Sequence, residues 1–82
     1  MIRVMMQFVG PARDLAGTDS AKVQMDDGAT VTAFREELAS RFPGLRDVLG
    51  NMRVAVNMEF AQDEHVLQDG DKAALIPPVC GG

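Results

Sequence analysis

Cysteine is nearly absent from this chain of 82 residues: Cys80 is the only one. A single thiol cannot close an internal disulfide, so nothing in the sequence requires an oxidising compartment. Histidine is as scarce, with His65 alone. No Cys/His set remains that could hold zinc, and no metal site is expected. Long apolar runs are missing too. Arg3 and Gln7 interrupt the hydrophobic N-terminus before a signal-peptide core can form, and no run is long enough to span a bilayer. The expectation is a cytoplasmic protein with no membrane partner. Positive charge is in short supply: eight Lys and Arg stand against twelve Asp and Glu, a net −4. No basic face is in prospect, which argues against nucleic acid and suits a partner with a basic surface.

What is present reads as one small domain, residues 1–82, with room for a single core. Ile2, Val4, Met6 and Phe8 alternate with other residues and predict a first strand, ended by Gly10-Pro11. Ala12 to Asp19 reads as a loop, with Arg13 and Asp14 exposed and Leu15 tucked under. Ala21 to Met25 alternates again as a second strand, stopped by Asp26-Asp27-Gly28. Thr30 is placed to N-cap a helix with Val31, Phe34, Leu38 and Phe42 on one stripe and Glu36, Glu37, Ser40 and Arg41 facing away. Pro43-Gly44 ends that helix, and Leu45, Val48 and Leu49 form a short irregular turn that closes the core.

A third strand is predicted over Met52–Val56, turned at Asn57-Met58 into a short return strand, Glu59–Ala61. Gln62 to Gln68 is polar, with Val66 and Leu67 as anchors. Asp69-Gly70-Asp71 is a turn, and Lys72–Ile76 is the final strand. The order implies an α+β fold: a mixed sheet with one main helix on one face, the last strand able to lie beside the first. The other face has no helix to cover it, and alternation places Met5, Ala55, Ala74 and Ile76 there as an apolar patch for a partner.

The segment on which the chain turns is Pro77-Pro78-Val79-Cys80-Gly81-Gly82. The prolines fix φ and lack an N–H, so they stop the strand and favour an extended segment. At about 3.1 Å per residue, Pro78 to Gly82 would reach roughly 12 Å past the body of the domain. Gly81 and Gly82 have no Cβ and can enter a channel that admits no side chain. The group delivered is the carboxylate of Gly82. It is ionised at neutral pH and is a poor electrophile until activated, most simply as an acyl adenylate. It could then become a thiocarboxylate or be joined to an amine.

Taken together, Phe8 to Gly17, Val54 to Asn57, Asp69-Gly70-Asp71, Pro77-Pro78-Val79 and Gly81-Gly82 resemble the MoaD/ThiS family of ubiquitin-like β-grasp sulfur carriers. The Pro-Pro pair and the loop bearing Arg13 favour its molybdenum-cofactor branch, the small subunits of molybdopterin synthase. The resemblance implies that an E1-like enzyme uses ATP to adenylate Gly82, and that a sulfur donor converts it to a thiocarboxylate. The tail, Pro77 to Gly81, then inserts into a large subunit, where sulfur passes to cyclic pyranopterin monophosphate. It implies no permanently bound cofactor, a non-catalytic sulfur-donor role, and a partner contact at Arg13; Met5 and Ile76 are expected to touch the partner because alternation places them on the uncovered sheet face. Cys80 departs from the small Ala, Ser or Thr more common before Gly-Gly; it has the right size, and no role is expected for its thiol.

Other readings of the same ending are a carrier for thiamine or cysteine synthesis, a ubiquitin-like modifier conjugated through Gly82, and a plain interaction domain. His65 has no carboxylate or nucleophile at a supporting spacing. Asp26-Asp27-Gly28 and Asp69-Gly70-Asp71 carry turn chemistry and lack the spacing of a calcium loop.

Overall fold

The computed structural model describes residues 1–77; the predicted tail positions Pro78, Val79, Cys80, Gly81 and Gly82 lie outside the described residues. Five strands, β1 (Ile2–Phe8), β2 (Ser20–Met25), β3 (Arg53–Val56), β4 (Glu59–Phe60) and β5 (Lys72–Ile76), form one mixed sheet of order β2-β1-β5-β3-β4. β1 pairs antiparallel with β2, and β5 pairs antiparallel with β3. β1 and β5 run parallel at the centre, Phe8 beside Leu75. The last strand therefore does lie beside the first.

The alternation in β1 is the burial pattern: Ile2, Val4, Met6 and Phe8 are buried while Arg3, Met5 and Gln7 are exposed. Their inward side meets α2 (Val31–Arg41), begun by Thr30, whose Oγ1 accepts from the Ala33 N–H at 3.3 Å. Val31, Phe34 and Leu38 are fully buried in one cluster with Val4, Met6, Val23, Val54 and Leu75. Each such side chain contributes about 1.5–3 kcal/mol by leaving water. Phe42 caps the helix and packs edge-on against Phe8, the ring centroids 5.1 Å apart. The 3-10 turns Pro43–Leu45 and Leu49–Asn51 bury Leu45 and Leu49 beneath it. Across them, the Arg35 Nη1 donates to the Leu49 carbonyl at 2.7 Å.

The predicted loop from Ala12 to Asp19 is corrected. Pro11–Ala16 forms a short helix, α1, begun by Pro11 in its first turn and ended by Gly17 in the left-handed region at φ 78°. Ala12 faces the core; Leu15, expected inside, is 43% exposed. One turn and a half of helix has a single inward position here, and the smaller residue holds it. Of the predicted anchors in the polar stretch, Leu67 is buried, while Val66 is exposed and held by a backbone bridge to Thr30.

Candidate functional site

Among the described residues, no element covers the sheet face away from α2, which is open. Cross-strand register sets Gln7, Ala74, Ala55 and Phe60 in one row across β1, β5, β3 and β4. Ile76 pairs with Arg53 in the next row, toward the end of β5. Ala55, Ala74 and Ile76 are half-buried, whereas Phe60 is 55% exposed and Met58 98% exposed. Together they line a shallow depression of about 500 Å³. Met5, 40% exposed, lies on the same face one row away, between Lys22 and Lys72. Of the residues expected to form one apolar patch, Ala55, Ala74 and Ile76 share the depression, whereas Met5 lines a separate hollow with Asp19 and Lys72. Phe60 and Met58 extend the depression, and sequence reasoning did not assign them.

The depression has a rigid wall. β3 and β4 are joined by the two-residue turn Asn57-Met58, both with positive φ (52° and 71°). That is the primed geometry matching strand twist, and it normally takes Asn-Gly. Asn57 Nδ2 donates to the buried Asp71 Oδ1 at 2.9 Å, and its Oδ1 accepts from the Lys72 N–H at 3.0 Å. The other Asp71 oxygen accepts from the Gln68 N–H at 2.8 Å. The Asp69-Gly70-Asp71 turn thus clips the hairpin to the start of β5. Both Asp71 oxygens are satisfied within the protein, consistent with its reading as turn chemistry.

Because β1 and β5 are parallel, the chain leaves both at the same end of the sheet. From β1 it enters α1, which carries Arg13; from β5 it passes through the half-buried Pro77 toward the tail. Arg13 is exposed, its Nε 3.7 Å from Asp19 Oδ1, an ion pair that holds it weakly and leaves its guanidinium available. Arg13, Ile76 and Pro77 therefore share one end, while Met5 sits farther down the face. His65 is exposed, and its backbone, not its ring, is engaged: its carbonyl accepts from the Val31 N–H at 3.0 Å.

Charge on the open face departs from expectation. Arg3, Lys22, Arg53 and Lys72 are exposed on it, and its strand positions carry no carboxylate; Glu59 pairs with the inward Val56 and so lies on the other side. The absence of a basic face, inferred from net charge, is corrected: alternation sorted half of the chain's cations onto one surface.

Topology of this kind, with parallel first and last strands at the centre of a mixed sheet and one long helix across it, defines the ubiquitin-like β-grasp class. A structure of small archaeal modifier protein 1 from Haloferax volcanii shares it with a TM-score of 0.87 at 25% identity, over 96% of this chain and 100% of that one. The chain belongs to the ThiS family, which it matches over residues 6–82. It is 38% identical over 86 aligned residues to the molybdopterin synthase sulfur carrier subunit of Escherichia coli, covering all of both chains. A Helicobacter pylori structure, a complex of subunits 1 and 2 of molybdopterin-converting factor, matches with a TM-score of 0.74 at 28% identity, over 99% of this chain and 100% of that one. Among the described residues no helix is long and apolar enough to cross a membrane.

Proposed function

We propose that this chain is the sulfur-carrying small subunit of a molybdopterin synthase, with Gly82 as its reactive residue. The observation that carries the reading is the extent of the family match. It runs to residue 82, so the aligned stretch takes in the tail positions and not the β-grasp alone, and a molybdopterin synthase sulfur carrier subunit aligns over the whole chain at 38% identity.

In this reading a carboxylate oxygen of Gly82 attacks the α-phosphorus of ATP on an E1-like activating enzyme, releasing pyrophosphate. A sulfur donor then displaces AMP from the acyl adenylate and leaves a thiocarboxylate. The open sheet face and Arg13 dock on the large subunit while Pro77 to Gly81 carry the thiocarboxylate into it. Sulfur passes there to cyclic pyranopterin monophosphate. The chain supplies no catalytic side chain and holds no cofactor; it supplies a carrier, a docking face and reach. A cytoplasmic location follows from the proposed partners.

Intact-protein mass spectrometry tests this after incubation with the activating enzyme, ATP and a sulfur source. Wild type gains the mass difference of one sulfur replacing one oxygen. A chain lacking Gly82, or extended by one residue, gains none, because a shift of about 3.3–3.6 Å takes the carbonyl carbon out of reach of the phosphate. Thiolation of the extended chain with its pathway intact would end the proposal. The likeness to an archaeal modifier protein favours one second reading, conjugation of Gly82 to lysine amines. That reading requires covalent ladders on other proteins in cell extract, where the carrier gives a thio acid and no ladder.

A further inference from the structure

Four of the eight Lys and Arg side chains lie on the open sheet face, leaving four cations against twelve carboxylates on the rest of the chain. The strand positions of this face are one-sided in charge, and the carboxylate that borders them is Asp19, which lines a hollow with Met5 and Lys72. Among the described residues, the cations away from this face are mostly paired: Arg13 with Asp19, Arg35 with Asp63 and Arg41 with Glu37. None of the Arg3, Lys22, Arg53 and Lys72 side chains forms an ion pair with a carboxylate among the described residues, although the Arg3 backbone N–H donates to Asp69 Oδ1 at 2.8 Å. Their layout is also specific. Lys22 and Lys72 flank Met5 in one row, and Arg53 lies over the Phe60 ring with its Cζ 3.8 Å from the centroid. Arg3 marks the far end of β1. An apolar floor of Ala55, Ala74, Ile76 and Phe60 sits between these corners.

We infer that this face selects a protein surface with an apolar protrusion ringed by Asp and Glu, and that opposite charge steers the encounter although the chain as a whole is acidic. The inference rests on the carrier reading, and deepens it by stating the chemistry of the docking partner. A central apolar contact inside a charged rim is the pattern of a protein interface. A polyphosphate backbone would instead meet a depression lined by Lys72 among otherwise uncharged side chains, under the repulsion of the remaining carboxylates. Cations that pair with no carboxylate among the described residues lose no ion pair there on docking, so their effect falls on the association rate.

The test is stopped-flow association of the full-length chain with the purified large subunit at about 0.05 M and about 0.5 M salt, where screening lengths differ severalfold. Wild type should associate about tenfold or more faster at low salt. Lys22→Glu with Lys72→Glu should remove most of that advantage, and Lys22→Gln with Lys72→Gln about half, with melting temperatures unchanged. Glu36→Lys, on the exposed side of α2, should change little. A complex that forms at the same rate in every variant and at both salts overturns the inference and leaves the carrier reading standing. Failure of wild type to form any complex, or to be thiolated, ends both. Tight binding of a single-stranded oligonucleotide, abolished by the double Glu variant, assigns the face to nucleic acid and overturns the inference as well.

Discussion

Gly44 shows how one missing atom positions a functional side chain. A Cβ built there would lie 2.6 Å from the Leu15 carbonyl oxygen, a backbone atom that no rotamer change can move. Its φ is not in the positive range, so what it supplies is close approach and not conformational freedom. The contact seats α1, and so Arg13, against the turn after α2. Gly44→Ala should therefore force the two segments apart at a cost of about 1–3 kcal/mol. A urea melt will show the loss, and the amide shifts of α1 will move more than those of the sheet. Unchanged stability would mean that α1 is seated by Ala12 alone.

At the scale of elements, the β3–β4 hairpin sets stability against docking. Met58 holds a left-handed conformation that glycine adopts without strain, and it exposes 98% of its surface. An apolar side chain there gains nothing from the fold. Met58→Gly should raise stability by about 0.5 kcal/mol while weakening the complex with the large subunit severalfold, since the depression loses one wall. Calorimetry on both partners checks the two opposite signs; a variant that binds as wild type would remove Met58 from the interface. The same hairpin marks the limit of what the sequence made legible. Seven residues of alternation reveal β1 and its inward face, and a capping threonine before a spaced apolar stripe reveals α2. Two residues, Glu59 and Phe60, have no period to read, so Phe60 joined no face until its register with Ala55 was known. α1 was hidden for a related reason: Pro11 and Gly17 bound a helix here but serve equally well in turns, and six residues are too few for a stripe. The cations of the open face were hidden by averaging, since net charge carries no information about sides.

On the scale of the whole molecule, the buried cluster begins at Ile2 and ends at Leu75. Among the described residues, the buried hydrophobic cluster is complete before Pro77. A chain ending at Pro77 should melt within about 0.5 kcal/mol of the full-length protein, as peripheral changes do, yet accept no sulfur. Circular dichroism and intact mass measure the two outcomes, and a large fall in melting temperature would show that residues 78–82 pack on the body. Function and folding are thus divided along the chain, although β5 serves both, as the central strand and as the root of the tail.

That placement of β5 has a mechanical consequence. The strand is bonded on both sides, to β1 in parallel and to β3 antiparallel. A force applied beyond Pro77 and resisted at the N-terminus would load the β1–β5 ladder in shear, all its bonds at once, with no edge from which to unzip it one bond at a time. Survival under such a pull is set by the unfolding barrier and not by equilibrium stability. An enzyme could therefore draw the end of the chain taut into its own active site, work on it and let go, while the carrier behind it stays folded.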